Sequence, residues 1–155
     1  MITIIEDTRQ KSGMHELKHS HFEEMGVQIV RNMLPFGDYA KPPAISIDTK
    51  ANMDEIASNI GSDHKRFKRE CIAAKEAGCQ LIILVENDDG ITSVKDVHKW
   101  INPEVIYRPR SITGDRLQKA MMTMTERYGV RFEFCAPEEA AEKIIELLGV
   151  GEDDK

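Results

Sequence analysis

Nowhere does this chain reach the roughly 20 consecutive apolar residues that a membrane-spanning helix requires. Its opening, Met-Ile-Thr-Ile-Ile-Glu-Asp, lacks both a basic segment and a long apolar core, so a soluble, cytoplasmic protein is expected. Cysteine is scarce: Cys71, Cys79 and Cys135 are odd in number and have no paired metal-ligand spacing. That excludes a disulfide-built scaffold and a zinc-finger site, and leaves three buried, reduced thiols as the simpler expectation. An excess of basic charge is also missing. With 21 Lys and Arg against 27 Asp and Glu the net charge is -6, which excludes a uniformly basic nucleic-acid surface. No internal repeat or linker interrupts the chain. One domain over residues 1–149 is expected, followed by an acidic, disordered tail at 150–155.

What is present suffices for one continuous core, since 41% of the residues are hydrophobic. Residues 2–6 read as a buried strand and residues 14–25 as a helix, with Met14, Leu17, Phe22 and Met25 on its inner side and Gly26 as its stop. Strands follow near 27–33, 36–40 and 44–50, the last two joined by the turn Lys41-Pro42-Pro43. A helix from about residue 53 and a longer one over 63–77, capped by Ser62 and ended by Gly78, precede Leu81-Ile82-Ile83-Leu84-Val85. That run is apolar on both faces, as in a central parallel strand covered by helices. Helices at 93–100, 114–128 and 137–148 and a strand at 131–134 complete an α/β sandwich around a mixed sheet.

The chemistry is concentrated in Gly37-Asp38-Tyr39 and Asp48-Thr49-Lys50. Alternation along a strand puts Asp48 and Lys50 on one face, and an antiparallel hairpin brings Asp38 beside Asp48. Two carboxylates can hold a hard divalent cation, Mg²⁺ or Mn²⁺, while an adjacent ammonium orients water or offsets charge on a phosphate. Asp54, in the opening turn of the next helix, is favoured there by the helix dipole and is read as a supporting group. In His64-Lys65-Arg66-Phe67-Lys68-Arg69-Glu70 the buried stripe is Phe67, Cys71 and Ala74, which leaves Lys65, Arg66 and Arg69 for solvent or DNA. Glu70 either pairs with Arg66 or points towards the site as an additional acid. A second basic group is Arg108-Pro109-Arg110. His15, His19 and His21 share one helix without a metalloprotease motif, and are read as a solvated or hydrogen-bonded face.

These motifs resemble the nuclease domains of XPF-type structure-specific endonucleases, within the PD-(D/E)XK group. That family reads Gly-Asp, a variable gap, Glu-Arg-Lys, three residues and Asp, matched here by Gly37-Asp38, Asp48-Thr49-Lys50 and Asp54. Its upstream Asp-x-Arg-Glu is matched by Asp7-Thr8-Arg9-Gln10. Three departures stand out: Asp48 replaces glutamate, Thr49 replaces the central arginine, and Gln10 replaces the first motif's glutamate.

The resemblance implies a restriction-endonuclease-like fold and a metal-dependent DNA endonuclease acting on branched, flapped or otherwise structured DNA. By the same resemblance Asp38, Asp48 and Lys50 are catalytic, and Asp38, Asp48 and the Thr49 carbonyl hold the metal. Asp7, Arg9, Asp54 and Glu70 support them, and Arg9, Lys65, Arg66 and Arg69 contact DNA. Family members pair this domain with a helix-hairpin-helix DNA-binding module and work as dimers, so a homodimer or such a partner is expected, and the small size suits a phage or mobile-element enzyme. Two alternatives stay open: a catalytically silent XPF-like scaffold, and another PD-(D/E)XK nuclease such as a junction resolvase or an RNA-acting enzyme.

Overall fold

The computed structural model describes residues 2–8, 15–32, 34, 37–41 and 45–149. Six strands form one mixed sheet: β1 (Ile2–Asp7), β2 (Val27–Asn32), β3 (Tyr39–Lys41), β4 (Ile45–Lys50), β5 (Gln80–Glu86) and β6 (Arg131–Cys135), in the spatial order β2-β1-β3-β4-β5-β6. β1 pairs parallel with β2 and antiparallel with β3; β3 and β4 form the antiparallel hairpin; β4, β5 and β6 are mutually parallel. This is the α/β, restriction-endonuclease-like arrangement expected from the strand and helix pattern.

Helices cover both faces because the central strand is apolar at five consecutive positions, Leu81 to Val85. Leu81, Ile83 and Val85 of β5 pack into a core with α2 (Met53–Ile60), α3 (His64–Glu76) and α4 (Gly114–Tyr128), which contribute Ile56, Phe67, Cys71, Leu117 and Met121. Ile82 and Leu84 face the opposite core, built with Phe22 of α1 (Glu16–Glu24) and Ile144 of α5 (Ala140–Leu148). The period of two thus divides one strand between two cores. Ile45 and Ile47 of β4 belong with the α1 and α5 side, so Ser46, Asp48 and Lys50 are turned towards α2 and α3.

Several local expectations are revised. α1 turns His15, Lys18 and Phe22 inward while Leu17 and Met25 are exposed, because the inner residues find polar partners across the sheet; Met14 lies outside the described residues. The cap position of α3 is Asp63, not Ser62, whose hydroxyl bonds back to the Ser58 carbonyl. The segment Val94–Lys99 is a 3₁₀ helix, a second 3₁₀ turn at Pro103–Ile106 had no strong sequence signal, and the last helix opens with a 3₁₀ turn at Pro137–Glu139. Cys71 and Cys135 are buried, whereas Cys79 is half-buried at the edge of the α3 core. Among the described residues no helix is long and apolar enough to cross a membrane.

Candidate active site

The site forms where β4 ends and the turn before β3 crosses it. Gly37 has φ +72, and a Cβ there would stand 2.7 Å from the Ile47 carbonyl oxygen, so only glycine permits the close approach. Asp38 is then pinned twice by its backbone: its N–H donates to Ile47 O at 2.7 Å, and its carbonyl accepts from the Asp7 N–H at 2.7 Å. Its carboxylate is held by Thr49, whose N–H (2.8 Å) and hydroxyl (2.7 Å) both donate to Oδ2.

Asp48 lies beside this group with only 8% of its surface exposed. Its pKa is pushed up to about 6, first by burial and also by the Asp38 charge, against the opposing pull of Lys50. Burial raises Asp38 as well, opposed by its hydrogen bonds from Thr49. The interaction between the two carboxyl groups favours the neutral form of Asp48 and the charged form of Asp38. Lys50 Nζ is 3.0 Å from Asp48 Oδ2 and 5.5 Å from the centroid of Phe67 on α3. Burial disfavours its charge, but Asp48, Glu55 and Glu70 outweigh that and raise its pKa, so the ammonium is charged. The ammonium is thus held between the Phe67 ring and the Asp48 carboxylate.

A cavity of about 270 Å³ opens onto Asp38, Asp48, Thr49 and Lys50. Its far wall is unexpected: His15 and Lys18 from α1, with Glu86 at the end of β5. Lys18 Nζ and Glu86 Oε2 form a buried ion pair at 2.6 Å. Burial raises the Glu86 pKa, and Lys18 counters it. His15 Nδ1 is 2.6 Å from the Tyr39 hydroxyl, and burial together with Lys18 lowers its pKa to about 4, so the imidazole is neutral near pH 7. One turn on, His19 and Arg31 both pair with the buried Glu6.

The other expected residues are distributed unevenly. Asp7 is buried and receives the Leu34 N–H on Oδ1 at 3.1 Å, so it shapes the loop leading to Asp38 without lining the cavity. Asp54 is exposed and does not line it; Glu55, one residue later, does, and accepts the Ala51 N–H at 3.3 Å. Glu70 is half-buried and acts on Lys50 through its charge. Lys65, Arg66 and Arg69 are on the exposed side of α3, with Arg66 4.0 Å from Asp63. Arg9 and Gln10 lie outside the described residues. His15, Lys18, Glu55 and Glu86 are the lining residues that sequence reading missed. The only signal for the first two was an i, i+3 polar pair whose partners are distant in the chain.

The donor set fits a hard divalent cation. Four carboxylates (Asp38, Asp48, Glu55, Glu86) and two ammonium groups (Lys18, Lys50) line the cavity, leaving it with two negative charges in excess when all are ionised. Relieving the repulsion between Asp38 and Asp48 needs a proton or a cation. Among the described residues no three His, Cys, Asp or Glu side chains form a cage. An open two-carboxylate site suits an ion that keeps several of its waters.

No curated protein sequence matches the chain. Among solved structures it is similar to XPF from Aeropyrum pernix, at 22% identity and TM-score 0.69, over 97% of this chain and 65% of that one. It is also similar to the same organism's XPF in complex with DNA, at 21% identity and TM-score 0.70, over 100% of this chain and 67% of that one. The chain therefore spans about two-thirds of those proteins, and the likeness concerns their fold. The ERCC4 domain model matches residues 5–148, and the chain belongs to the ERCC4 domain family.

Proposed function

We propose that this domain is a metal-dependent endonuclease that hydrolyses phosphodiester bonds in branched, flapped or otherwise structured DNA, in repair or recombination. The observation that carries this reading is the pairing of half-buried Asp38 with buried Asp48, with the Lys50 ammonium 3.0 Å from an Asp48 oxygen, all lining one cavity. Membership of the ERCC4 family and the fold shared with an XPF that was solved with DNA support it.

Asp38, Asp48 and the Thr49 carbonyl would hold Mg²⁺ or Mn²⁺, which when bound polarises the scissile phosphate and acidifies a water. The residues around it have separable tasks. Thr49 favours the ionised form of Asp38 and aims it by donating twice to one oxygen. Lys50, charged and clamped between Asp48 and Phe67, orients the attacking water or offsets charge growing on the phosphate. His15, held neutral, offers no competing positive charge, and the Lys18 and Glu86 pair closes the wall behind the carboxylates.

Lys65, Arg66 and Arg69, exposed on α3, and Arg9 supply phosphate contacts. Further grip on DNA comes from a second copy of the chain or a helix-hairpin-helix partner. The test is cleavage of labelled flap, fork, Holliday-junction, single-stranded and duplex DNA with Mg²⁺ or Mn²⁺ at low salt, beside an Asp48→Ala control. Metal-dependent cutting lost in the control is the expected result; a folded protein that cuts none of them overturns the reading.

A further inference from the structure

A second basic feature lies at the opposite end of α2. The segment between the Val94–Lys99 3₁₀ helix and α4 is pinned at its base. Asn102 is buried, donates to the Ile112 carbonyl at 2.9 Å and accepts the Glu104 N–H at 3.0 Å. At the first residue of α4, Gly114 sits so close to the Trp100 and Val97 carbonyls that a Cβ would stand 2.5 and 2.7 Å from them. A loop anchored this firmly nevertheless exposes large apolar side chains: Ile106 is 81% and Tyr107 85% accessible. Immediately after them come Arg108 and Arg110.

Arg108, Arg110 and Arg116 of α4 line one cavity of about 470 Å³, together with the hydroxyl-bearing Ser58, Ser62 and Ser111. Glu104 is the one acidic residue on its wall, and none of the three guanidinium groups makes an ion pair among the described residues. In a chain of net charge -6, three arginines converging without carboxylate partners form a local exception to the acidic average. The plain structural alternative is that they offset the negative end of α2, which terminates at this cavity. That role is served by one cation and gives no reason for an exposed tyrosine and isoleucine beside them.

Position joins this cavity to the candidate active site. Glu55 lines the first cavity and Ser58 the second, and the two are three residues apart on the exposed side of α2. Ser58 Oγ continues the stripe to Ser62 Oγ at 3.5 Å. α2, about 12 Å long, thus connects the two cavities along one exposed side.

We infer that Arg108, Arg110 and Arg116 form a second phosphate-binding site, joined to the candidate active site along α2, with Tyr107 stacking on an unpaired or terminal base beside it. Guanidinium forks match phosphate oxygens, and an exposed aromatic beside them is the combination that binds backbone and base together. The ligand this site takes is a DNA strand with a base face available to Tyr107, which continuous duplex does not offer. This rests on the nuclease reading for the role of the candidate active site, but its test does not require cutting.

The test uses the full chain and fluorescence anisotropy with labelled flap DNA and continuous duplex, over a salt series without divalent metal. The variants are Arg108→Ala/Arg110→Ala/Arg116→Ala, Tyr107→Ala and, as a control from the α5 side of the sheet, Lys143→Ala. All altered side chains lie on the surface, and circular dichroism checks the fold. Losing three phosphate contacts lowers the slope of log affinity against log salt by about 2 to 3. Tyr107→Ala is expected to weaken flap binding roughly 5- to 150-fold and to spare continuous duplex. Lys143→Ala changes neither.

Wild-type affinity and salt slope retained in the triple variant would overturn the inference. So would failure of the wild type to bind any of these DNAs, or a triple variant altered only in self-association, which would assign the loop to a protein contact. Binding that depends on these residues in a protein that cuts nothing would retire the nuclease reading and leave this site standing.

Discussion

Thr49 donates its backbone N–H and its side-chain hydroxyl to the same oxygen of Asp38, at 2.8 and 2.7 Å. Both bonds favour the charged form of a carboxylate that burial would otherwise protonate. The position that carries arginine in XPF-like motifs thus carries here a residue that fastens the neighbouring acid.

Thr49→Val keeps the backbone bond and a similar shape but removes the hydroxyl. A hydrogen bond to a charged group contributes roughly 1.5–3 kcal/mol, so a 10- to 100-fold fall in cleavage rate is expected. The acid limb of the pH–rate profile should also move upward, as Asp38 becomes harder to ionise. Thr49→Ser should retain both the rate and the profile. Rates of labelled flap cleavage across pH 5–9 distinguish these outcomes, and equal behaviour of the valine and serine variants would remove the hydroxyl from the account.

Asp48 and His15 act on stability in opposite directions within one pH window. The folded-state pKa of Asp48, raised to about 6, lies above its unfolded value, so its contribution is full below about pH 4 and is lost as pH rises through 6. The His15 pKa, lowered to about 4, lies below its unfolded value near 6.5. Its contribution is therefore present above 6.5 and lost as pH falls towards 4. Asp48→Asn should unmask the histidine: in metal-free buffer its Tm should drop by roughly 3 °C or more between pH 6.5 and 4.5, beyond the change seen in wild type. Thermal melts of the two proteins test this, and parallel Tm–pH curves would count against the opposing pair.

The parts of the fold legible in sequence were those written in apolar periodicity and glycine. β5 is hydrophobic at consecutive positions because both of its faces are covered, and the hairpin declares itself through Gly37-Asp38 and the alternation of Ile45, Ile47 with Asp48, Lys50. The wall made by α1 was not legible. Its inward residues His15 and Lys18 are polar, and their burial is made tolerable by Tyr39 and Glu86, which are 24 and 68 residues away in the chain. A reading that equates apolar with inward instead assigns that side to Leu17 and Met25, which are 48% and 41% exposed. Asp54 and Glu55 show a second limit: adjacent helical residues differ by about 100° in direction, so one step decides which carboxylate faces the cavity.

The Lys18 and Glu86 pair at 2.6 Å predicts a marked non-additivity. Removing one partner leaves the other charge buried, which typically costs about 3–5 kcal/mol. Lys18→Met and Glu86→Gln should each lower the urea midpoint, and the double variant should recover much of the loss. A coupling energy near zero in that cycle would mean the pair is solvated in solution. Cleavage by the double variant further separates wall from machinery: if the pair only closes the cavity, activity returns with stability.

Lys50 offers the sharpest division between holding a cation and doing chemistry. Its ammonium competes with a divalent ion for Asp48, so Lys50→Met, which removes the charge and keeps an unbranched side chain, should leave Mn²⁺ affinity unchanged or tighter at pH 8. The lost positioning or charge stabilisation should nonetheless reduce the cleavage rate by about 10²- to 10⁴-fold. Asp48→Ala should remove both Mn²⁺ binding and cleavage. Calorimetric Mn²⁺ titration beside single-turnover cleavage measures the two quantities independently. If Lys50→Met cleaves at the wild-type rate, the ammonium serves only to neutralise Asp48 before the cation arrives, and its catalytic assignment fails.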